Sequence, residues 1–221
     1  MILHHPDEDL LLSMAAGRLP AGQALVVAVH LDSCPQCRTL LRSLEAVGGT
    51  MLDCLEPQPL LPEALACTLQ RIAGVEQRAR LLRPTPSPAP VGPPLPEGVT
   101  WPASLRGSRT TRWYWMGPGR RFARVQLPHE PGESLLLLSM AAGRSLPAHG
   151  HHQLELTQVL CGALEAGGQV FGRGDFMAAD QEVHHRPVVQ PGEECICLTW
   201  VKGGLRFDGP IAGAVGGWLG V

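Results

Sequence analysis

The fold of the C-terminal half is decided by a short stretch, HGHHQLE at residues 149–155. His149 and His151 alternate along a predicted strand, so their side chains point to one face, roughly 6.6 Å apart along the chain. Glu155 joins them after a tight turn, and His185 comes from a later strand that only a folded-back β-barrel brings close. Three imidazoles and one carboxylate suit a divalent ion such as zinc, iron, manganese or nickel. Open coordination positions would make the site catalytic, whereas a closed tetrahedron would make it structural or sensory.

Short predicted strands surround this stretch. Apolar segments are punctuated by Gly and Pro every ~8–12 residues, a spacing typical of an all-β barrel or sandwich. The predicted strands are Trp113–Trp115, Phe122–Leu127, Ser134–Met140, Glu155–Cys161, Gly168–Val170 and Cys195–Val201. We therefore expect a β-barrel domain over residues 99–208, followed by an apolar, glycine-rich tail at residues 209–221.

A proline-rich segment separates this domain from the N-terminal half. Seven prolines fall at Pro84, Pro86, Pro88, Pro90, Pro93, Pro94 and Pro96. Such a segment excludes helix and central strand and favours an extended, semi-rigid polyproline II spacer. The sequence therefore predicts a linker over residues 83–98.

The N-terminal half, residues 1–82, has apolar residues at helical spacing. A first predicted helix ends near Gly17, and a second begins near Pro20. A third begins around Pro35 and ends at Gly48-Gly49, and a fourth begins at Pro62-Glu63. Four short helices make a thin core, so a structural metal would help to hold them.

A second set of metal-ligand residues lies within these helices. His30 stands at a predicted helix end, and Cys34 and Cys37 form a Cys-x₂-Cys pair at the start of the next helix. The dipole of that helix favours thiolate at the second cysteine. Two thiolates and an imidazole leave one corner of a tetrahedron open, which His5 or His4 can close to give a structural zinc site. A thioredoxin-like redox pair is less favoured, since no βαβ pattern surrounds the cysteines.

Composition and charge exclude several classes of function. The 221-residue chain has a net charge of -2 and 44% hydrophobic residues, which fits a folded protein and not a general nucleic-acid binder. Acidic residues follow the N-terminus almost at once, which excludes a signal peptide, and no apolar run reaches the roughly 20 residues that span a bilayer. We therefore expect a cytoplasmic protein without membrane contact. In a reducing cytosol a Cys-x₂-Cys pair indicates metal or redox chemistry and not a structural disulfide.

The N-terminal residues resemble the zinc-binding anti-sigma family. Its signature, an N-terminal histidine followed by His-x₃-Cys-x₂-Cys, is present as His5, His30, Cys34 and Cys37. The ChrR type is matched more fully, by His4-His5-Pro6-Asp7, by VVAVHL at residues 26–31 and by Ala46-Val47-Gly48-Gly49. That type places its N-terminal ligand as far before the motif histidine as His5 lies before His30, which favours His5 over His4.

The C-terminal residues resemble a cupin, and the ChrR type carries a C-terminal cupin. The first cupin motif is present as His149, His151 and Glu155, and the second as Gly174-Asp175-Phe176 with His185. The resemblance implies an anti-sigma factor and not an enzyme. Its zinc-held helical domain would sequester an extracytoplasmic-function sigma factor, and its cupin would release that factor on an oxidative signal such as singlet oxygen. The implied cupin metal is zinc first, with iron, manganese or nickel as alternatives.

Two alternatives remain from other classes. One is a cupin metalloenzyme of dioxygenase type, with the zinc-binding helical domain as a regulatory appendage. The other is a scaffold in which both metals are structural. Cys195 and Cys197 alternate on a strand and form a candidate redox pair, although such cysteines are more often buried packing residues. Cys54, Cys67 and Cys161 are expected in the core.

Overall fold

The computed structural model describes residues 1–81, 92–126 and 132–208. Within them four α-helices precede an all-β region, which confirms the predicted fold class. The helices are α1 Glu8–Ala15, α2 Ala21–Ser33, α3 Pro35–Asp53 and α4 Ala64–Leu81, and a 3₁₀ turn follows at Ala103–Leu105. Among the described residues no helix is both long and apolar enough to cross a membrane.

Local sequence explains where the helices begin. Asp7 caps α1, because its carboxylate accepts a hydrogen bond from the backbone N–H of Leu10 at 2.7 Å. Cys34 caps α3 in the same way through its sulfur, and Pro35 occupies the first position of the helix, where its missing N–H costs nothing.

The predicted end of the third helix is wrong. The helix continues through Gly48 and Gly49 to Asp53, because glycine inside a helix costs only about 1 kcal/mol relative to alanine and does not break it.

Among the described strands every pair is antiparallel. The strands are β1 Tyr114–Trp115, β2 Arg120–Arg124, β3 Glu133–Met140, β4 His149–His151, β5 Glu155–Cys161, β6 Ala163–Ala166, β7 Gln169–Gly172, β8 Phe176–Ala179, β9 His184–His185, β10 Val188–Val189, β11 Cys195–Lys202 and β12 Leu205–Phe207. They form a six-stranded sheet in the order β1-β2-β3-β11-β5-β8, and two three-stranded sheets in the orders β10-β6-β7 and β12-β4-β9. The second small sheet carries three of the predicted metal ligands.

The strand predictions hold for the long strands and fail for several of the short ones. The predicted strand at residues 168–170 lies at residues 169–172, after a two-glycine turn. Strands β6, β8, β10 and β12 were not predicted, since two to four residues are too few to display an alternating pattern. Leu127 of the predicted second strand lies outside the described residues.

The six-stranded sheet is covered on both faces. On its outer face, Leu156 of β5 and Trp200 of β11 share one core cluster with Val26 and Val27 of α2. On its inner face, the intervening residues line the interior of the β-domain. This double burial explains the unbroken apolar run at residues 135–138, because a strand buried on both sides needs no polar alternation.

The N-terminal segment is held against the β-domain by Asp175, which follows β7. Its carboxylate accepts backbone hydrogen bonds from Leu3 at 2.7 Å and His4 at 3.1 Å, and from Gly172 at 2.9 Å. Burial opposes the charge, but these hydrogen bonds outweigh it and lower the pKa of Asp175. The predicted division into residues 1–82, 83–98, 99–208 and 209–221 stays a prediction, and residues 83–91 and 209–221 lie outside the described residues.

Candidate metal centres

The structure brings His5, His30, Cys34 and Cys37 together where α2 ends and α3 begins. The Nδ1 atom of His5 lies 3.4 Å from the sulfur of Cys34 and 3.3 Å from that of Cys37. One potential ligand atom from each of the four residues lies within 4.8 Å of the others. His4, the alternative to His5, is occupied elsewhere, since its Nδ1 lies 3.2 Å from the carboxylate of Asp175.

A hydrogen bond from the β-domain fixes the orientation of His30. The side-chain amide of Gln158 donates to the carbonyl of Val159, so its oxygen is free to accept from Nδ1 of His30 at 3.0 Å. The proton of the neutral imidazole therefore sits on Nδ1, and the lone pair sits on Nε2. That Nε2 is buried without a hydrogen-bond partner, as a metal ligand would be.

Burial controls the protonation of this first set. Burial is the main cause of the lowered pKa of His30, which keeps its imidazole neutral. Burial also raises the pKa of the Cys37 thiol to about 12, with a hydrogen bond and the charge of Cys34 adding to the rise. A divalent metal must therefore displace a proton from Cys37 when it binds.

The second set lies where β4, β5 and β9 meet. His149 and His185 face each other across β4 and β9, and His151 and Glu155 approach from the same side. The Nε2 atom of His185 lies 3.1 Å from that of His149 and 3.2 Å from that of His151. A carboxylate oxygen of Glu155 lies 3.6 Å from Nδ1 of His151. All four residues are buried.

Neighbouring groups set the tautomer of His149 and the position of Glu155. The carbonyl of Pro147 accepts from Nδ1 of His149 at 2.9 Å, which leaves a lone pair on its Nε2. Thr157 donates to Glu155 at 3.0 Å and lies 3.0 Å from Thr199. These contacts aim nitrogen and oxygen lone pairs at one point, as a cation requires.

The pKa shifts in the second set favour neutral imidazoles. Burial, followed by the charges of neighbouring histidines, lowers the pKa of His151 to about 4 and that of His185 to about 3. Burial also raises the pKa of Glu155 to about 7, against the hydrogen bond from Thr157. Neutral imidazoles beside a carboxylate fit a divalent metal, and the set does not distinguish zinc from iron, manganese or nickel.

The remaining cysteines divide into buried and exposed positions. Cys195 and Cys197 lie side by side on β11 with their sulfurs 3.7 Å apart, and the hydrogen-bonding contact with Cys195, followed by burial, raises the pKa of Cys197. Their redox role stays a prediction. Cys161 is buried as expected, but the expectation for Cys54 and Cys67 is wrong, because both are exposed. They lie at the end of α3 and on α4, where these helices face solvent.

Sequence reasoning missed Gln158. It stands between Leu156 and Leu160, which share the face of β5 that packs on α2. A polar residue on an otherwise apolar strand face was the available signal. Such a residue must find a buried partner, and the partner here is the metal-ligand candidate His30.

Comparisons with known proteins agree with this architecture. The family model described as the ChrR cupin-like domain matches residues 105–203. The anti-sigma-E factor ChrR of Cereibacter sphaeroides is 38% identical over 208 residues, which cover 94% of this chain and 93% of that protein. A crystal structure of Rhodobacter sphaeroides SigE in complex with the anti-sigma ChrR matches with 35% identity and a TM-score of 0.69, covering 91% of this chain and 100% of that chain.

Proposed function

This chain belongs to the ChrR family of anti-sigma factors, and we propose that it sequesters an extracytoplasmic-function sigma factor and thereby regulates transcription. We propose further that zinc holds the helical domain through His5, His30, Cys34 and Cys37, and that the cupin domain releases the sigma factor on an oxidative signal, with singlet oxygen as one candidate.

The observation that carries the proposal is an apolar helix surface turned toward solvent. Leu65, Leu69 and Ile72 recur at the spacing of one helix face on α4, and they are 70%, 56% and 53% exposed. Exposed apolar residues continue along the chain N-terminal to them, namely Val47, Met51, Leu52, Leu55, Leu60 and Leu61. Large apolar side chains exposed in such number favour a protein interface. We call these nine side chains, six on helices and three in the loop between them, the apolar helix surface.

The first metal set would control where this surface points. Its ligands come from the N-terminal segment, the end of α2 and the first turn of α3, so a bound ion joins three parts of the chain at the base of α3. Such closed sites supply folding free energy directly to small domains. Loss of the metal would therefore leave α3, and the apolar helix surface that follows it, free to change orientation.

Strand β5 supports a connection between the two sites. Glu155 opens the strand and belongs to the second metal set, while Gln158, on the opposite face, contacts His30 of the first. A signal at the cupin site, or oxidation of Cys195 and Cys197, would act through this strand. Such a signal must change the free energy of the sigma-bound state relative to that of the sigma-free state. The proposed signal rests on this connection and on family membership.

Substitutions in the apolar helix surface test sigma-factor binding. The variant Leu65→Ser/Leu69→Ser removes two exposed leucines without touching the described core, so we expect the fold to survive. We expect its affinity for the cognate sigma factor to fall at least about 100-fold, as hot-spot residues commonly contribute 2 kcal/mol or more each. The assay is calorimetric titration against each extracytoplasmic-function sigma factor of the source genome.

The matched control is Val170→Ser, which alters an exposed apolar residue on β7 of the cupin domain. We expect this variant to bind as the unaltered protein does. Binding by Leu65→Ser/Leu69→Ser at full affinity, or no binding of any such sigma factor by the unaltered protein, would contradict the proposal.

One observation favours a second candidate, a cupin metalloenzyme. A cavity of about 480 Å³ opens inside the β-domain beside Glu155, so a small molecule has room to approach the second metal set. Turnover of such a molecule by the metal-loaded protein, lost in His151→Ala, would support this candidate and count against a purely sensory cupin. Family membership favours the anti-sigma role, for which we propose a cytoplasmic location and no direct contact with nucleic acid or membrane.

A further inference from the structure

The cavity inside the β-domain has a chemistry that the metal site does not explain. Its walls are mainly apolar and include Leu136 and Leu138 of β3, and Leu205 and Phe207 of β12. Glu155 lines the end at the second metal set, and Arg120 and Arg186 also line it. A cavity of about 480 Å³ lies within the size range of small-molecule sites in proteins, which are typically apolar with a few directed polar groups.

Ser145 holds the two arginines on one wall. Its carbonyl accepts from Nε of Arg120 at 2.6 Å, and its hydroxyl accepts from Nε and Nη2 of Arg186 at 3.3 Å and 3.2 Å. Two guanidinium groups are thus anchored through one residue, although their like charges repel. Each retains N–H donors beyond these contacts, since a guanidinium carries five.

No carboxylate of the described residues neutralises this pair. Neither Arg120 nor Arg186 has an acidic partner within 4.0 Å in the part of the chain that the structure describes. Asp208 also lines the cavity, but its carboxylate lies 3.2 Å from Nε2 of His184. Glu155 faces the histidines of the metal set. The wall with the two arginines therefore presents positive charge beside an apolar interior.

We propose that this cavity binds a small apolar carboxylic acid, with its carboxylate on Arg120 and Arg186 and its hydrocarbon part against β3 and β12. Guanidinium groups recognise a carboxylate through paired, charge-assisted hydrogen bonds. Apolar walls favour a hydrocarbon body over a sugar or a second charge, because burying an unpaired polar group is costly. The inference goes beyond the proposed function, since the acid would bind whether or not a sigma factor is present.

Octanoate is the probe, with three matched compounds for comparison. We expect calorimetric titration of the full-length, metal-loaded protein to give saturable, one-to-one binding of octanoate. Octylammonium and octan-1-ol share its chain without the negative charge, and acetate shares its charge without the chain. Each is expected to bind at least about tenfold more weakly, because it lacks one of the two interactions. No saturable binding of octanoate, or equal binding of octylammonium, would overturn the proposal.

Arg186→Met tests the carboxylate contact, and Arg109→Met is its control. Arg186 is solvent-exposed, and among the described residues its side chain hydrogen-bonds only to Ser145, so we expect the variant to keep its fold and melting temperature. We expect its affinity for octanoate to fall at least about tenfold, while Arg109→Met, an exposed arginine away from the cavity, binds as the unaltered protein does.

A second measurement covers the case in which Arg186→Met alters stability. A ligand that binds only the folded state raises the melting temperature. Octanoate should then raise the melting temperature of the unaltered protein more than octylammonium does, and it should raise that of Arg186→Met less. An unchanged octanoate affinity or an unchanged shift of the melting temperature in Arg186→Met would overturn the proposed position of the carboxylate. Either result is also what binding of the acid to the metal would give.

Discussion

Replacing Gln158 by leucine removes the hydrogen bond that orients His30 while it keeps a side chain of similar size on β5. His30 is 0% and Gln158 1% exposed, so no water can take the place of the lost acceptor. A buried N–H group left without a partner costs about 1–3 kcal/mol. The hydrogen-bond partners of metal-binding histidines are typically worth 10–100-fold in metal affinity, which corresponds to about 1.4–2.8 kcal/mol at 1.4 kcal/mol per factor of ten. Both arguments agree, and we expect zinc affinity at the first site to fall about 10–100-fold.

Competition with a chromogenic chelator measures this change and separates the two sites. Glu155 lies on the opposite face of the same strand, so the affinity of the second site should remain within about threefold of its original value, because the substituted side chain does not reach it. The variant His185→Ala, which removes a ligand of the second set, assigns each step of the titration to its site.

Gln126→Leu is the matched control, since Gln126 is an exposed glutamine. It should leave both sites unchanged. An unaltered affinity of the first site in Gln158→Leu would refute the idea that the β-domain orients His30. An equal loss at both sites would mean that the substitution distorts β5 and not the single hydrogen bond.

Two further outcomes follow from burial. The folded-state pKa values of His151 and His185, about 4 and about 3, lie below the ordinary 6.5, so the unfolded chain binds more protons and the metal-free protein should lose stability as the pH falls from 6.5 towards 4. The pKa of Glu155 is raised from 4.5 to about 7, so this group by itself would stabilise the folded state as the pH falls through that range. The two histidines act in the opposite direction. Thermal unfolding in chelator at pH 7.5, 6 and 5 measures the balance, and stability that rises on acidification would contradict it. Trp200→Ala should cost about 3–5 kcal/mol in urea unfolding and Trp115→Ala under about 0.5 kcal/mol, because Trp200 is fully buried and Trp115 is 72% exposed. Similar losses of unfolding free energy in the two variants would contradict this expectation.

The sequence predicted both metal sets because their chemistry is local. Cys34 and Cys37 are three residues apart at a helix start, and His149 and His151 are two apart on a strand, so helix and strand periodicity alone brings each pair together. His5 and His185 are remote in sequence, so periodicity does not place them. His185 depended on the expected barrel fold, and resemblance to a known family favoured His5 over His4. The contact between His30 and Gln158 could not be predicted from the sequence, since it depends on how α2 packs against β5.

The error at Cys54 and Cys67 has a physical source. Both were expected in the core, which carries the assumption that their helices pack within the same chain. The end of α3 and all of α4 up to residue 73 break that assumption and keep their apolar side chains in solvent. A sequence pattern identifies an apolar face, but it does not say whether the partner is the same chain or another protein.

The most direct test of whether sigma-factor binding needs the bound metal compares two double cysteine variants. Cys34→Ser/Cys37→Ser removes both candidate thiolate ligands, whereas Cys54→Ser/Cys67→Ser removes two exposed cysteines of the same helical half. Metal content and affinity for the cognate sigma factor are measured on each full-length protein. We expect the first variant to lose one equivalent of zinc and its sigma-factor binding, and the second to keep both. Full sigma-factor binding by a Cys34→Ser/Cys37→Ser protein that has lost its zinc would contradict the account.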